Sequence, residues 1–166
     1  MTVAVTSCAR GGTLEARIQP GSVVTIGFRD FSGTTDAAAG LFVCATGPGV
    51  LLESVEPMIV EGSAELLGAV ERSGTNQEER FIGAAYRYPP GRGEDNDPLG
   101  TTAVSACDEP SSAVTQIVVG ARRTTPAGGA IRGISITYRS GERRETLDIP
   151  NFHIRLCGDH DHDCEP

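Results

Sequence analysis

The chain has 166 residues, of which 39% are hydrophobic and 22% charged, a composition typical of a folded domain and not of a disordered segment. This length suits one domain with one core, so we expect a single domain over residues 1–166. The net charge of −8 argues against a nucleic-acid binder, which needs a cationic surface, and no apolar run approaches the roughly 20 residues of a membrane helix.

Glycine and proline divide the chain into short apolar runs. There are 21 glycines and 10 prolines, and the runs between them are rich in β-branched and aliphatic residues, a pattern typical of many short strands. Segment 63–72 also has helical spacing, but Gly68 in its middle disfavours a helix. The predicted strands are, in chain order, 2–8, 13–18, 22–28, 40–46, 50–60 with a break at Pro57, 64–71, 80–88, 114–122, 130–139, 143–149 and 152–157.

Alternating apolar residues mark the clearest of these strands. Val24, Ile26 and Phe28 share one face of segment 22–28. Residues 130–149 alternate in the same way on either side of a Ser-Gly pair, which predicts a β-hairpin. We therefore expect an all-β fold, an antiparallel two-sheet β-sandwich of Ig-like or jelly-roll-like type, with about 9–11 short strands and little or no helix.

Two stretches lack any strand pattern. Residues 29–39 form one predicted loop and residues 89–113 the other. A loop of the second length is uncommon in a compact domain and is usually functional or disordered. Rigid sheets often present such loops at one end, so these two are the predicted presenting surface.

Five cysteines in so short a chain predict an oxidising, extracytoplasmic location, either secreted or at the cell surface. Cys157 and Cys164 are separated by six residues and are expected to close a small loop, worth roughly 2.5 kcal/mol in the chain-entropy model. Among Cys8, Cys44 and Cys107, any two can pair and the sequence does not choose between them.

Cys8 has a second interpretation, as a lipidation site. The residues before it, Val-Thr-Ser, resemble the lipid-attachment box of bacterial lipoproteins. A lipid on Cys8 would explain the odd number of cysteines, with two disulfides formed by the other four. The apolar stretch before Cys8 is shorter than a signal core, however, so a plain strand is favoured.

The C-terminal segment has the densest chemistry in the chain. If it is extended, its two histidines point one way and its three aspartates the other. A His-x-His pair suits Zn²⁺ or Cu²⁺, and alternate carboxylates suit Ca²⁺. The alternatives are a solvated acidic terminus closed by a disulfide, or a pH-sensitive contact. The candidate metal ligands are Asp159, His160, Asp161, His162 and Asp163, with His153 upstream.

All 14 basic residues are arginines, and several of them are close together in the second half of the chain. Such a group can form a local positive patch for a carboxylate, a phosphate or an acidic partner. Alternatively, these arginines pair with Glu142, Glu145 and Asp148 on a solvated strand face. The patch residues are Arg122, Arg123, Arg139, Arg143 and Arg144, with Arg132 nearby.

Motifs for catalysis are absent from the sequence. Without lysine there is no Schiff-base or P-loop lysine, and no nucleophile elbow or glycine-rich phosphate loop occurs. The favoured function is a non-catalytic extracytoplasmic binding or interaction module with an unknown partner. The first alternative is a metal-binding or metal-trafficking accessory protein that uses the C-terminal loop. The second is a hydrolase, for which His153 is the only candidate base.

Overall fold

The fold is all-β. A computed structural model describes residues 12–29, 35–74, 81–91, 96–108, 113–160 and 164, and within these ranges there is no helix. Segment 63–72 is therefore a strand, and the predicted strand 2–8 lies outside the described residues. The strands of the described ranges are β1 (Leu14–Ala16), β2 (Val24–Phe28), β3 (Asp36–Ala45), β4 (Val50–Gly62), β5 (Ala64–Gly74), β6 (Ala84–Ala85), β7 (Val114–Arg123), β8 (Gly129–Ser140) and β9 (Arg143–Leu156).

The strands form two sheets. The five-stranded sheet has the order β1-β3-β7-β5, with β6 also paired to β3, and its strands are all antiparallel. The four-stranded sheet has the order β2-β9-β8-β4, and β2 runs parallel to β9. The prediction of purely antiparallel sheets is thus wrong for β2. A parallel pair needs a long crossover connection, which the intervening chain supplies.

One apolar cluster lies between the sheets. Alternate residues of each strand enter it, as the twofold periodicity of a strand requires. It buries β-branched and aliphatic side chains from both sheets, so each sheet covers the apolar face of the other. Its central members include Ala37, Ala39, Leu41, Val43, Ile117, Val119, Ile131, Ile134, Ile136, Phe152, Ile154 and Leu156.

Two prolines lie inside strands, contrary to the predicted breaks. Pro57 lies within β4, an edge strand, where a missing N–H is tolerated. Pro150 lies within β9, so the predicted strands 143–149 and 152–157 are one strand. Pro150 packs opposite Gly133, whose φ of +71° marks the register shift in β8. Strand bulges are where proline can be placed inside a sheet.

The start of β3 was missed because it is rich in alanine. Residues 36–39 were assigned to the loop, since alanine has little β-propensity. Ala37, Ala38 and Ala39 are nevertheless fully buried, with β7 on one side and β6 on the other. The reverse error affects segment 80–88: among its described residues, 81–88, only Ala84 and Ala85 are in a strand.

A segment that we call the strap, residues 81–91 and 96–108, packs against the five-stranded sheet, and its first part lies on the outer face of β7. The Tyr88 ring lies over Gly120, where an added Cβ would come within 2.3 Å of the ring. Gln116 is fully buried, and its side-chain amide bonds both the N–H and the C=O of Ile82, at 3.1 and 2.6 Å. The strap explains why β7 is buried on both faces.

Two charged side chains of β5 form hydrogen bonds with the strap between residues 90 and 102. The Arg72 guanidinium donates to Asn96 Oδ1 and to the Pro90 carbonyl, at 2.8 and 2.6 Å. The Glu71 carboxylate accepts the N–H groups of Gly100 and Thr102, at 3.0 and 2.7 Å. The described part of the predicted loop 89–113 is therefore fastened to the sheet.

Candidate functional site

A pocket with a volume of about 430 Å³ lies on the face of the four-stranded sheet that points away from the core. Along β9, the side chains of Phe152, Ile154 and Leu156 are buried in the core, so His153 and Arg155 point to the opposite face. Both line this pocket, together with backbone at Gly128 and Gly129. The alternation of a single strand thus separates core residues from pocket residues.

Strand register places one side chain of β2 and one of β8 next to His153. Thr25 of β2 and Arg132 of β8 are the direct neighbours of His153 on its two sides. Neighbouring strands are about 4.8 Å apart, so the three side chains form one row across the sheet. Glu61, near the end of β4, completes the charged lining.

The pocket is locally cationic in an acidic protein. Its lining includes two arginines and one glutamate, which gives 2 − 1 = +1 without the histidine, whereas the whole chain carries −8. Arg132 Nε donates to Glu61 Oε2 at 2.8 Å, and about half of each side chain is exposed. His153 Nε2 lies 2.9 Å from the Pro150 carbonyl, so this nitrogen carries the proton of that contact.

This arrangement is suited to holding an anion. Guanidinium groups bind carboxylates, phosphates and sulfates through paired N–H donors. The lining glycines Gly62 and Gly129 serve close packing of the protein's own backbone, because an added Cβ would lie 2.5 Å from the Gly128 carbonyl oxygen or 2.6 Å from the Ala64 nitrogen. The guanidinium donors concern binding and do not activate a nucleophile.

The hydrolase alternative required a carboxylate within hydrogen-bond reach of His153. Glu61 lines the same pocket, but its carboxylate accepts from Arg132. Within the described ranges, no carboxylate is hydrogen-bonded to the His153 ring. The hydrolase alternative therefore stays a prediction, and no contact among the described residues supports it.

The C-terminal segment begins at the rim of the pocket. Gly158 packs against Gly128, where an added Cβ would lie 2.7 Å from the Gly128 nitrogen. Arg123 holds the start of the C-terminal segment in place, because its Nη1 donates to the Cys157 carbonyl at 2.9 Å and to Asp159 Oδ1 at 2.6 Å. The structure pairs Cys157 with Cys164 in a disulfide.

The metal-ligand prediction for this segment stays a prediction. Asp159 is engaged by Arg123, and His160 is exposed to solvent. The other three candidates, Asp161, His162 and Asp163, lie outside the described residues. His153 belongs to the pocket on the sheet.

The predicted arginine patch is not contiguous. Arg122 and Arg123 are at the end of β7, and Arg122 makes a two-pronged ion pair with Asp36 at 2.7 and 3.1 Å. Arg139 and Arg144 are beside the hairpin turn, where both approach Glu53. Because β8 spans the distance between the two groups, they are about 30 Å apart. Arg143 is exposed at the same turn.

Arg155 was missed by sequence reasoning. Its signal is the pattern His-x-Arg at positions 153 and 155, which places both side chains on one face of a strand. The pattern becomes informative only when Arg132 is placed opposite His153.

The presenting surface predicted from loops 29–39 and 89–113 is only partly described. Tyr86 of the strap packs edge-on against Phe28, with ring centroids 5.3 Å apart, and its hydroxyl accepts the Arg29 N–H. Residues 96–108 lie along the sheet, with Cys107 joined to Cys44. Cys8, the other cysteine weighed for this pairing, lies outside the described residues.

No family model matches the chain, and no curated protein matches it. The described residues include no helix long and apolar enough to cross a membrane. The geometry of the pocket is therefore the guide to function.

Proposed function

We propose that the protein is a non-catalytic, extracytoplasmic binding module that holds an anionic group of its ligand in the pocket on the four-stranded sheet. The observation that carries this proposal is the convergence of Arg132, His153 and Arg155 on one pocket of about 430 Å³. This volume falls within the roughly 300–1,000 Å³ of small-molecule sites.

The rigidity of the site supports a binding role. Arg132, His153 and Arg155 come from the adjacent central strands β8 and β9. The backbone beneath them is fixed by ladder hydrogen bonds and by the buried residues Ile131 and Ile154. A ligand would meet a preformed site, which lowers the entropic cost of binding.

The extracytoplasmic location is supported by two disulfides. Cys44–Cys107 and Cys157–Cys164 are the kind of crosslink that persists in oxidising compartments. We also propose that the two sheets form a β-sandwich of Ig-like or jelly-roll-like type, to which β2 adds one parallel pairing. In this architecture the pocket is a feature of a sheet face.

The test compares two arginines of the same strand. Arg132 and Arg139 both lie in β8, both side chains are 53% exposed, and each pairs with a glutamate of β4. Only Arg132 lines the pocket. R139A is therefore a control for R132A, because each variant removes one half-exposed arginine of β8 that lies beside a glutamate of β4, and Glu53 keeps its ion pair with Arg144.

The probes are inorganic phosphate, inorganic sulfate, citrate and a short polyaspartate peptide, titrated by calorimetry at low ionic strength. We expect at least one probe to bind wild type and R139A with similar affinity. R132A should bind it at least about 10-fold more weakly, since a charge-assisted hydrogen bond contributes roughly 1.5–3 kcal/mol. The proposal is wrong if no probe binds, or if R132A and R139A bind equally well.

A further inference from the structure

Three side chains of types that can bind a metal lie close together on the five-stranded sheet, whereas the pocket lies on the four-stranded sheet. Cys44 lies in β3, and Glu15 of β1 is its direct cross-strand partner. Cys107 of the strap is joined to Cys44 by a disulfide. Glu15 Oε2 lies 3.9 Å from Cys107 Sγ, and the two sulfurs and a carboxylate oxygen are all within 4.8 Å of one another.

The backbone holds these side chains together without help from the sulfur–sulfur bond. The Cys107 N–H donates to the Ala45 carbonyl, and the Ala45 N–H donates to the Ser105 carbonyl, both at 2.9 Å. Ala106 forms a parallel bridge with Ala45. The strap thus pairs with the end of β3 at Ser105 and at Cys107 itself, on both sides of Ala106, so we expect cleavage of the disulfide to leave both cysteines beside Glu15.

In the reduced protein, the three donors match the preferences of zinc. Two thiolates and a carboxylate are ordinary zinc ligands, with Zn–S near 2.3 Å and Zn–O near 2.0–2.2 Å. A tetrahedral ion with such bonds needs donor atoms roughly 3.5–3.8 Å apart. The present spacing requires only small side-chain rotations, and the exposure of Glu15 leaves room for water in the fourth position.

We propose that Cys44, Cys107 and Glu15 form a redox-gated zinc site. A dithiol reduces the disulfide and leaves as its own disulfide; in the laboratory a phosphine and one water molecule do the same, and the phosphine leaves as its oxide with the oxygen of that water. The two electrons and two protons that the protein gains convert the cystine to two thiols. Zinc then displaces both thiol protons and binds two thiolates and the carboxylate.

The site would give the strap two alternative attachments. In oxidising surroundings the covalent bond joins residue 107 to β3, and in reducing surroundings the metal joins the same residues. The two states exclude each other, because a sulfur in a disulfide is not a thiolate. Metal binding in this protein would therefore report the redox state of the compartment.

Cobalt is the probe, because thiolate-bound Co²⁺ gives an intense charge-transfer band in the near ultraviolet. The variant C8S/C157S/C164S keeps Cys44 and Cys107 as its only cysteines, so the band can arise from no other thiol. We expect the phosphine-reduced variant to bind one Co²⁺ with thiolate charge transfer, and the unreduced variant to show no band. Zinc should displace the cobalt and bleach the band.

Glu15 is tested by E15Q in the same background, with E142Q as the matched exposed control. E142Q should leave cobalt affinity unchanged. E15Q should weaken it by at least the roughly 10-fold that even a secondary partner of a metal contributes. Absence of the charge-transfer band after reduction, or equal affinity for E15Q and E142Q, would overturn the site.

A stability measurement covers the case in which the triple variant folds poorly. Wild type reduced by phosphine should melt at a lower temperature than the oxidised protein, and zinc should restore part of the loss because it binds the folded form. The same addition to reduced E15Q should restore less. Equal recovery in both proteins contradicts the proposal.

Discussion

At the scale of single residues, the surroundings of two carboxyl groups in the five-stranded sheet shift their pKa values in opposite directions. The Arg122 guanidinium bonds Asp36 and lowers the pKa of that carboxyl. Burial raises the pKa of Glu71, although the N–H groups of Thr102 and Gly100 partly offset it. The charged form of Asp36 therefore stabilises the fold, whereas the charged form of Glu71 costs stability above its ordinary pKa of 4.5.

The Asp36–Arg122 pair should be acid-labile. Because the folded-state pKa of Asp36 is below its ordinary 3.8, the stabilisation is complete above pH 3.8 and is lost as pH falls through the folded-state value. Wild type should therefore exceed D36N in unfolding free energy by a constant amount between neutral pH and pH 4. Below that pH the difference should shrink. Urea unfolding at a series of pH values checks this, and a pH-independent difference would contradict it.

At the scale of elements, β5 is a strand that anchors a covering segment. Its inward residues Ala64, Leu66 and Ala69 pack on the core, and its end holds the strap through Glu71 and Arg72. Arg72 is only 2% exposed, so its hydrogen bonds with the strap are made away from water. Buried polar groups of this kind are costly to leave unpaired.

Replacement of Arg72 by methionine should loosen the strap. The substitution keeps much of the volume but removes the donors to Asn96 Oδ1 and to the Pro90 carbonyl. We expect a loss of about 3 kcal/mol in unfolding free energy, since hydrogen bonds to charged groups contribute roughly 1.5–3 kcal/mol each. Faster amide exchange in residues 96–102 should accompany it.

The control for this prediction is R139M. Arg139 is an exposed residue on β8, and its change should stay within about 0.5 kcal/mol of wild type, as surface substitutions usually do. Chemical unfolding followed by circular dichroism measures both variants. If R72M and R139M are equally stable, the strap does not depend on Arg72.

At the scale of the whole molecule, the two disulfides close loops of very different length. Cys44 and Cys107 are 63 positions apart, whereas Cys157 and Cys164 are 7 apart. The longer crosslink ties the strap to the five-stranded sheet, and the shorter one closes only the C-terminal turn. Loop-closure entropy in the unfolded chain grows with the logarithm of loop length.

The pair C44S/C107S should therefore lose more stability than C157S/C164S. The chain-entropy model gives about 4 kcal/mol for the first variant and about 2.5 kcal/mol for the second. Urea unfolding under non-reducing conditions measures both. Equal losses, or a larger loss for C157S/C164S, would mean that native packing outweighs loop entropy at these two sites.

Features that depend on near neighbours along the chain could be predicted from the sequence. The alternation of Val24, Ile26 and Phe28 identifies a half-buried strand, and the Ser-Gly turn joins β8 to β9 as predicted. Such patterns are local, because a strand buries every second residue whatever its partner is. Fold class was accessible for the same reason.

Contacts between distant segments could be identified only from the three-dimensional fold. The parallel pairing of β2 with β9, the choice of Cys107 as the partner of Cys44, and the row of Thr25, His153 and Arg132 each depend on strand register. Register is set by packing of the whole core and leaves no mark in the local pattern. The alanines at the start of β3 were hidden in the same way, because their burial comes from β6 and β7 and not from their own β-propensity.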